Sequence, residues 1–193
     1  MDKIYLLHKK GAHKMGKKAL LVIDMQKSLV EDKPFDIDNV VSNIQKLIKS
    51  CRSNGVEVIY LQHQNDEDDF LKKGTEGWQI YDEVKPLPGE KVIAKTFNSG
   101  FKNTELKQYL ESNGITDLIL TGMQTEYCFD VTCKVAFEYG YKLTVPEHCN
   151  TTFDDEEDNL TGEQIYNFYM YAIWDEIFAD IKTCNEVIKD IEE

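Results

Sequence analysis

The chain has 193 residues, with 22 Lys and Arg against 35 Asp and Glu, four His, five Cys and a net charge of −13. That length fits one domain that needs no disulfide or metal staple, and 41% apolar with 11% aromatic residues exclude a disordered chain. No apolar run, Ala19–Ile23 included, approaches the ~18–20 residues of a membrane span, and the acidity argues against nucleic acid or an anionic membrane as partner.

The charge is uneven. Residues 154–193 hold 13 acidic and two basic side chains, so the body is nearly neutral and the C-terminal part reads as a solvated acidic face. Cys51, Cys128, Cys133, Cys149 and Cys184 are odd in number and form no C-x-x-C, which points to a reducing, cytoplasmic setting. Residues 1–16 carry only Ile4–Leu7 as an apolar run, too short for a secretory core. They read as an N-terminal extension or leader ahead of one domain, 17–193.

From Lys17 two periods alternate. Ala19–Ile23 is continuously apolar, as in a parallel strand buried on both faces. Ile37, Val40, Val41, Ile44, Leu47 and Ile48 recur at helical spacing, and Asn54-Gly55 supplies the stop. Val56–Leu61 is the next strand, residues 64–89 a long acidic loop with the character of a lid, and Val92–Ala94 a third strand. Asn103 is placed to cap a helix carrying Leu106, Tyr109 and Leu110. Leu118–Leu120, a helix with Val131, Val135 and Ala136, and the strand Tyr141–Val145 follow. Thr161-x-x-Gln164 opens a long amphipathic helix, Ala179–Ile181 is a short sixth strand, and Thr183-x-x-Glu186 opens the last helix. The pattern is α/β: a three-layer α/β/α sandwich on a six-stranded parallel sheet.

Several motifs fail. Gly11-x-x-x-x-Gly16-Lys17 has phosphate-loop spacing, yet it precedes the first strand and is followed by Lys18 in place of Ser or Thr. No G-x-G-x-x-G or G-x-S-x-G occurs. His8 and His13 lie in the leader, His63 and His148 are far apart, and Asp66, Asp68 and Asp69 lack the Gly and terminal Glu of a calcium loop. His63 alone reads as a structural residue. The sequence offers no metal set and no cofactor site.

One constellation stands out. Asp24 and Lys95 close the first and third strand patterns, and Cys128 follows the fourth strand through a short turn. Ligands of open parallel sheets bind beyond the carboxyl ends of the strands, so the three should face one crevice. A thiol with a reference pKa of ~8.5 is a poor nucleophile until ionised. Early in a helix, beside a cation and a carboxylate base, it is favoured as thiolate.

Val22-Ile23-Asp24-Met25-Gln26, Ala94-Lys95-Thr96-Phe97-Asn98-Ser99-Gly100-Phe101 and Thr121-Gly122-Met123-Gln124-Thr125-Glu126-Tyr127-Cys128 resemble, in order, the three signatures of the isochorismatase-like cysteine hydrolases. The resemblance implies Cys128 as nucleophile, Asp24 as base, Lys95 as supporting cation, and a cis peptide at Met123–Gln124. The N–H groups of Gln124 and Cys128 become the candidate oxyanion hole. Nicotinamidases of this family hold a metal through D-x-H after the second strand, where this chain reads Gln62-His63-Gln64-Asn65. Together with Gly77-Trp78 and Tyr127-Cys128-Phe129-Asp130, that segment is similar to the streptothricin-hydrolase-like branch, which opens a cyclic amide.

The reading is a metal-independent cysteine hydrolase cleaving a C–N bond in a small amide or lactam. Nicotinamidase- or isochorismatase-type hydrolysis, and a silent α/β binding module, are the alternatives. Gln62, Trp78, Phe97, Phe101, Tyr127 and Phe129 are candidates to line the substrate pocket. Tyr166, Phe168, Tyr169, Tyr171, Trp174 and Phe178 crowd one helix beyond the single stripe it can bury. Pairing as a homodimer or larger homo-oligomer, which the family also implies, would cover the rest, unless the last helix folds over it.

Overall fold

The continuous apolar run becomes β1, Lys17–Ile23, at the middle of the sheet. The computed structural model describes residues 16–65 and 70–193. His8, His13, almost all of the expected leader, and Asp66, Asp68 and Asp69 lie outside the described residues. The other strands are β2 (Glu57–His63), β3 (Lys91–Lys95), β4 (Ile115–Met123), β5 (Lys142–Pro146), β6 (Asn150–Thr151) and β7 (Asp180–Lys182). All pair in parallel in the order β3-β2-β1-β4-β5-β7, with β6 added to the end of β4.

The sheet therefore has seven strands where the sequence predicts six. The extra one is a two-residue polar pair, Asn150–Thr151, beside Gly122–Met123. A pair that short carries no periodicity, and only the nearby end of β4 makes it a strand.

Helices cover both faces: α1 (Lys27–Glu31), α2 (Ile37–Ser53), α3 (Leu106–Ser112), α4 (Asp130–Glu138), α5 (Gly162–Phe168) and α6 (Cys184–Glu192). The β1 side chains alternate between them. Leu20 and Val22 meet α2 and α6 residues such as Ile44, Leu47 and Val187, whereas Leu21 and Ile23 meet Leu106, Phe129 and Trp174 on the other side. Period two with a covered face on each side is why the run is apolar throughout. Each fully buried Leu or Ile contributes about 1.5–3 kcal/mol.

Local signals hold unevenly. Both Thr161/Gln164 and Thr183/Glu186 form complete capping boxes. Asn103 caps nothing: it sits at φ 56°, and the helix starts later, after Glu105. The long aromatic helix is α5 continued by a wider π-helical stretch, Tyr169–Trp174. Tyr166 and Trp174 are buried in the core, while Phe168 and Tyr171 stay exposed. Helix α6 does not cover them, because Cys184, Val187 and Ile191 pack with α2 on the opposite face.

The strand order reverses between β1 and β4, the place where open parallel sheets bind their ligands beyond the carboxyl ends of the strands. Gly122 sits at that point with φ 119°, and a Cβ would fall 2.0 Å from the Ile23 carbonyl oxygen. Gly140 also has positive φ but open space around it. In urea unfolding, Gly122→Ala should cost at least ~2 kcal/mol, against ~1 kcal/mol for Gly140→Ala. Equal losses would show that backbone conformation alone, and no close approach, constrains Gly122.

Candidate active site

Asp24 follows the last β1 residue with φ 50°, an uncommon conformation for a residue bearing a Cβ. Its N–H donates to the Leu61 carbonyl at 2.9 Å, and its own carbonyl accepts from Gln26 N at 2.8 Å. This tight turn sets the carboxylate at the crevice. Lys95 ends β3, two strands away, and its long arm crosses the end of β2 to reach Asp24. The Lys95 Nζ–Asp24 Oδ2 distance is 2.7 Å, and the two side chains are 0% and 2% exposed. Cys128 stands in a π-helical turn, Thr125–Phe129, that leads into α4. Lys95 Nζ lies 3.2 Å from its Sγ.

The structure thus brings Asp24, Lys95 and Cys128 together at the sheet's reversal point. It adds two residues that the sequence reading left out. His63 Nδ1 lies 3.1 Å from Lys95 Nζ, and Asn98 Oδ1 lies 3.8 Å from Cys128 Sγ. Asn98 was legible as part of the second signature. His63 gave no spacing signal, since it enters only because β2 lies between β1 and β3.

The charges set the resting state of the sulfur. Burial first, then the Asp24 carboxylate, push the Cys128 thiol up to about 12, and the opposing pull of Lys95 does not offset them. Burial works against the Lys95 ammonium, but Asp24 and then Cys128 outweigh it and hold its pKa above the ordinary value. The balance at Cys128 therefore runs toward the thiol, opposite to the thiolate expected from a helix start. Asp24 Oδ1 is buried without another donor, which leaves it open to the thiol proton.

Asp24, His63 and Cys128 offer ligand atoms within 4.8 Å of one another, the spacing of a metal site. The Lys95 ammonium contacts all three atoms from their midst. The donor set already surrounds a cation, and it does not fit a metal ion without expelling that buried side chain.

Around this centre the expected pocket residues divide. Phe97 is 37% and Tyr127 49% exposed beside the site, and Lys102 Nζ sits 3.9 Å over the Phe97 ring. Phe129 is fully buried against Trp174, and Phe101 packs on Tyr139 and Tyr141. Both belong to the hydrophobic cluster on that side of the sheet.

Gln62 is buried and spends its amide on the Trp78 carbonyl at 2.9 Å. Gln26, with no exposed surface, donates to the same carbonyl at 2.8 Å and pairs with both the N–H and the carbonyl of His63. Backbone bonds from Ser28 to Gly77, Lys27 to Gln79 and Tyr81 to Met25 fasten the same stretch. The later part of the expected lid is therefore a fixed wall, tied to the turn after β1.

A fold and site of this kind define an α/β hydrolase with a buried Asp–Lys pair beside a thiol, and comparison with known proteins agrees. The isochorismatase domain model matches residues 18–171. The isochorismatase family protein YrdC of Bacillus subtilis is 33% identical over 180 residues, 90% of this chain and 96% of that protein. A streptothricin hydrolase of Streptomyces noursei is 32% identical over 138 residues, 70% of this chain and 55% of that protein. The crystal structure of an isochorismatase from Pseudomonas putida superposes with a TM-score of 0.83 at 28% identity, covering 92% of this chain and 93% of the other. The chain belongs to the isochorismatase family.

The charge balance around Cys128 is testable without a substrate. Asp24→Asn removes a charge that holds the thiol up, so iodoacetamide should alkylate Cys128 roughly tenfold faster at pH 7.5, the thiolate being the reactive form. Lys95→Met removes the opposing cation and should slow the reaction. Equal rates in wild type and both variants would mean that neither charge governs the sulfur.

Proposed function

We propose that this hydrolase cleaves the C–N bond of a small amide or lactam, without a metal, through a thioester on Cys128. The observation that carries the reading is the contact set of Lys95, which holds the Asp24 carboxylate and the Cys128 sulfur on one ammonium. Asp24 takes the thiol proton as sulfur forms its bond to the substrate carbonyl carbon. The ammonium steadies the sulfur as charge develops on it.

The resulting oxyanion is assigned to the N–H groups of Gln124 and Cys128. The Gln124 carbonyl accepts from Tyr127 N and Phe129 N at 3.2 and 3.1 Å, bracketing Cys128, whose N–H is not one of its donors. The Met123–Gln124 peptide is cis, as the motif resemblance implies. Each such donor is worth about 3–4 kcal/mol in comparable sites. Collapse of the intermediate breaks the C–N bond, and the leaving nitrogen takes the proton from Asp24. Water then attacks the thioester, gives its proton to Asp24, and the departing sulfur takes that proton back as the thiol.

Amide chemistry fits a base that must return its proton to a poor leaving group. It also accords with the likeness to a streptothricin hydrolase. Trp78, Phe97 and Tyr127 are the pocket residues we retain, with Asn98 beside the sulfur. The five cysteines are unpaired, which supports a cytoplasmic setting. No helix among the described residues is long and apolar enough to cross a membrane.

An acid- or ammonia-release screen over small amides and lactams tests the reading. Cys128→Ala should abolish turnover with the thermal midpoint retained, and Asp24→Asn should lose more than ~10²-fold in kcat, the lower end for general acid–base catalysis. Residual turnover in Cys128→Ala would overturn the covalent route. A loss below tenfold in Asp24→Asn would require another base.

We also propose a homo-oligomer, with a homodimer as its simplest form. Phe168, Tyr171 and Ile177 are 57%, 49% and 50% exposed after α6 has packed elsewhere, and exposed aromatics of this kind favour interface cores. Light scattering at micromolar concentration should give a multiple of the 22.4 kDa chain. A clean monomer would remove the proposal.

A further inference from the structure

We infer that His63 is a positioning residue of this site. It is held as the neutral tautomer with its proton on Nε2, and it steers the Lys95 ammonium between Asp24 and Cys128. The inference rests on the reading of Cys128 as nucleophile given above.

An ammonium has three N–H donors and no lone pair. Lys95 Nζ lies 2.7 Å from Asp24 Oδ2, 3.1 Å from His63 Nδ1, 3.2 Å from Cys128 Sγ and 3.2 Å from the Phe97 carbonyl. At 3.1 Å from a group that only donates, Nδ1 must present a lone pair. A proton there would set two donors face to face. Among the groups that face the ring are Asp24 after β1, Lys95 at the end of β3 and Cys128 in the turn after β4.

A neutral acceptor suits the reaction. The charges near Lys95 exchange during turnover, since Asp24 is neutralised as sulfur becomes anionic. A third carboxylate would compete with the sulfur for the ammonium, and an apolar residue would remove one of the acceptors that set the ammonium's direction. Imidazole Nδ1 accepts a hydrogen bond without adding charge, so the ammonium can follow the negative charge toward the sulfur.

The position of His63 is over-determined from behind. Its N–H donates to Gln26 Oε1 at 2.9 Å, and its carbonyl accepts from Gln26 Nε2 at 2.9 Å. Gln26 itself has no exposed surface, and its main chain closes the Asp24 turn. One buried amide thus fixes the ring's backbone relative to the base, while the ring fixes the cation.

Asparagine is the diagnostic replacement, because its Oδ1 stands on the same Cβ–Cγ stem as Nδ1 and also accepts. The test combines two measurements on the intact chain. Long-range ¹H–¹⁵N spectra at pH 7.5, with His63 assigned by its disappearance in His63→Asn, should show Nδ1 unprotonated and Nε2 protonated. Iodoacetamide alkylation of Cys128 should slow about tenfold in His63→Leu, as expected when a charge partner of a thiolate is misplaced. His63→Asn should stay within about twofold of wild type by the same argument.

In the amide assay, His63→Leu should lower kcat while leaving KM nearly unchanged, and His63→Asn should restore most of kcat. An imidazolium or an Nδ1–H tautomer in the wild-type spectrum would overturn the inference. So would His63→Asn reacting as slowly as His63→Leu, or both reacting like wild type. If His63→Leu does not fold, the wild-type spectrum and the His63→Asn rate still decide. The spectrum and the alkylation rates need no substrate, so failure here is separable from failure of the amide hydrolase reading, which turns on Cys128→Ala.

Discussion

The site depends on a buried charge that cannot stand alone. The Lys95 side chain has no exposed surface, and an unpaired ammonium there would cost several kcal/mol in lost hydration. Asp24 compensates it at 2.7 Å, and the burial of both makes the pair sensitive to the position of each. Because the ammonium is already committed to the carboxylate, the Cys128 sulfur receives only part of its pull. That is why a neighbouring cation does not bring the thiol below its ordinary range. A resting thiol also limits adventitious oxidation, which acts on the thiolate.

The same constraint explains the framework around it. A cation reaching from β3 to the end of β1 must pass over β2, so whatever ends β2 becomes part of the site. Here that is His63, backed by Gln26. Gln26 and Gln62 together place two amide donors on one carbonyl, that of Trp78. The wall of the crevice is thereby joined to the turn that carries the base. Rigid backing of this kind is what holds reacting groups within the narrow tolerances that catalysis demands.

Much of the fold was legible because burial leaves a periodic record. Leu20 and Val22 face one helical layer, Leu21 and Ile23 the other, and the resulting unbroken run could only be a central parallel strand. The two capping boxes were legible because each is closed within four residues. Asn103 misled because a residue good at capping is also good in a left-handed turn, and the turn is what it forms. Asn150–Thr151 was invisible because its strand character comes wholly from the neighbour it meets.

The sequence by itself determined that Asp24, Lys95 and Cys128 would meet, since two of them close apolar strand patterns, the third follows another through a short turn, and strand ends in a parallel sheet share one edge. It also determined that the chain would be a three-layer α/β hydrolase of the isochorismatase kind. Only the tertiary structure decided the protonation state of Cys128, because that depends on distances among three charges and on burial, which linear spacing does not encode. It likewise decided which aromatics are buried: Phe97 and Tyr127 stand at the surface, whereas Phe101 and Phe129, equally close to the motifs along the chain, are taken up by the core. The place of His63 was decided by strand order, which sets β2 between β1 and β3.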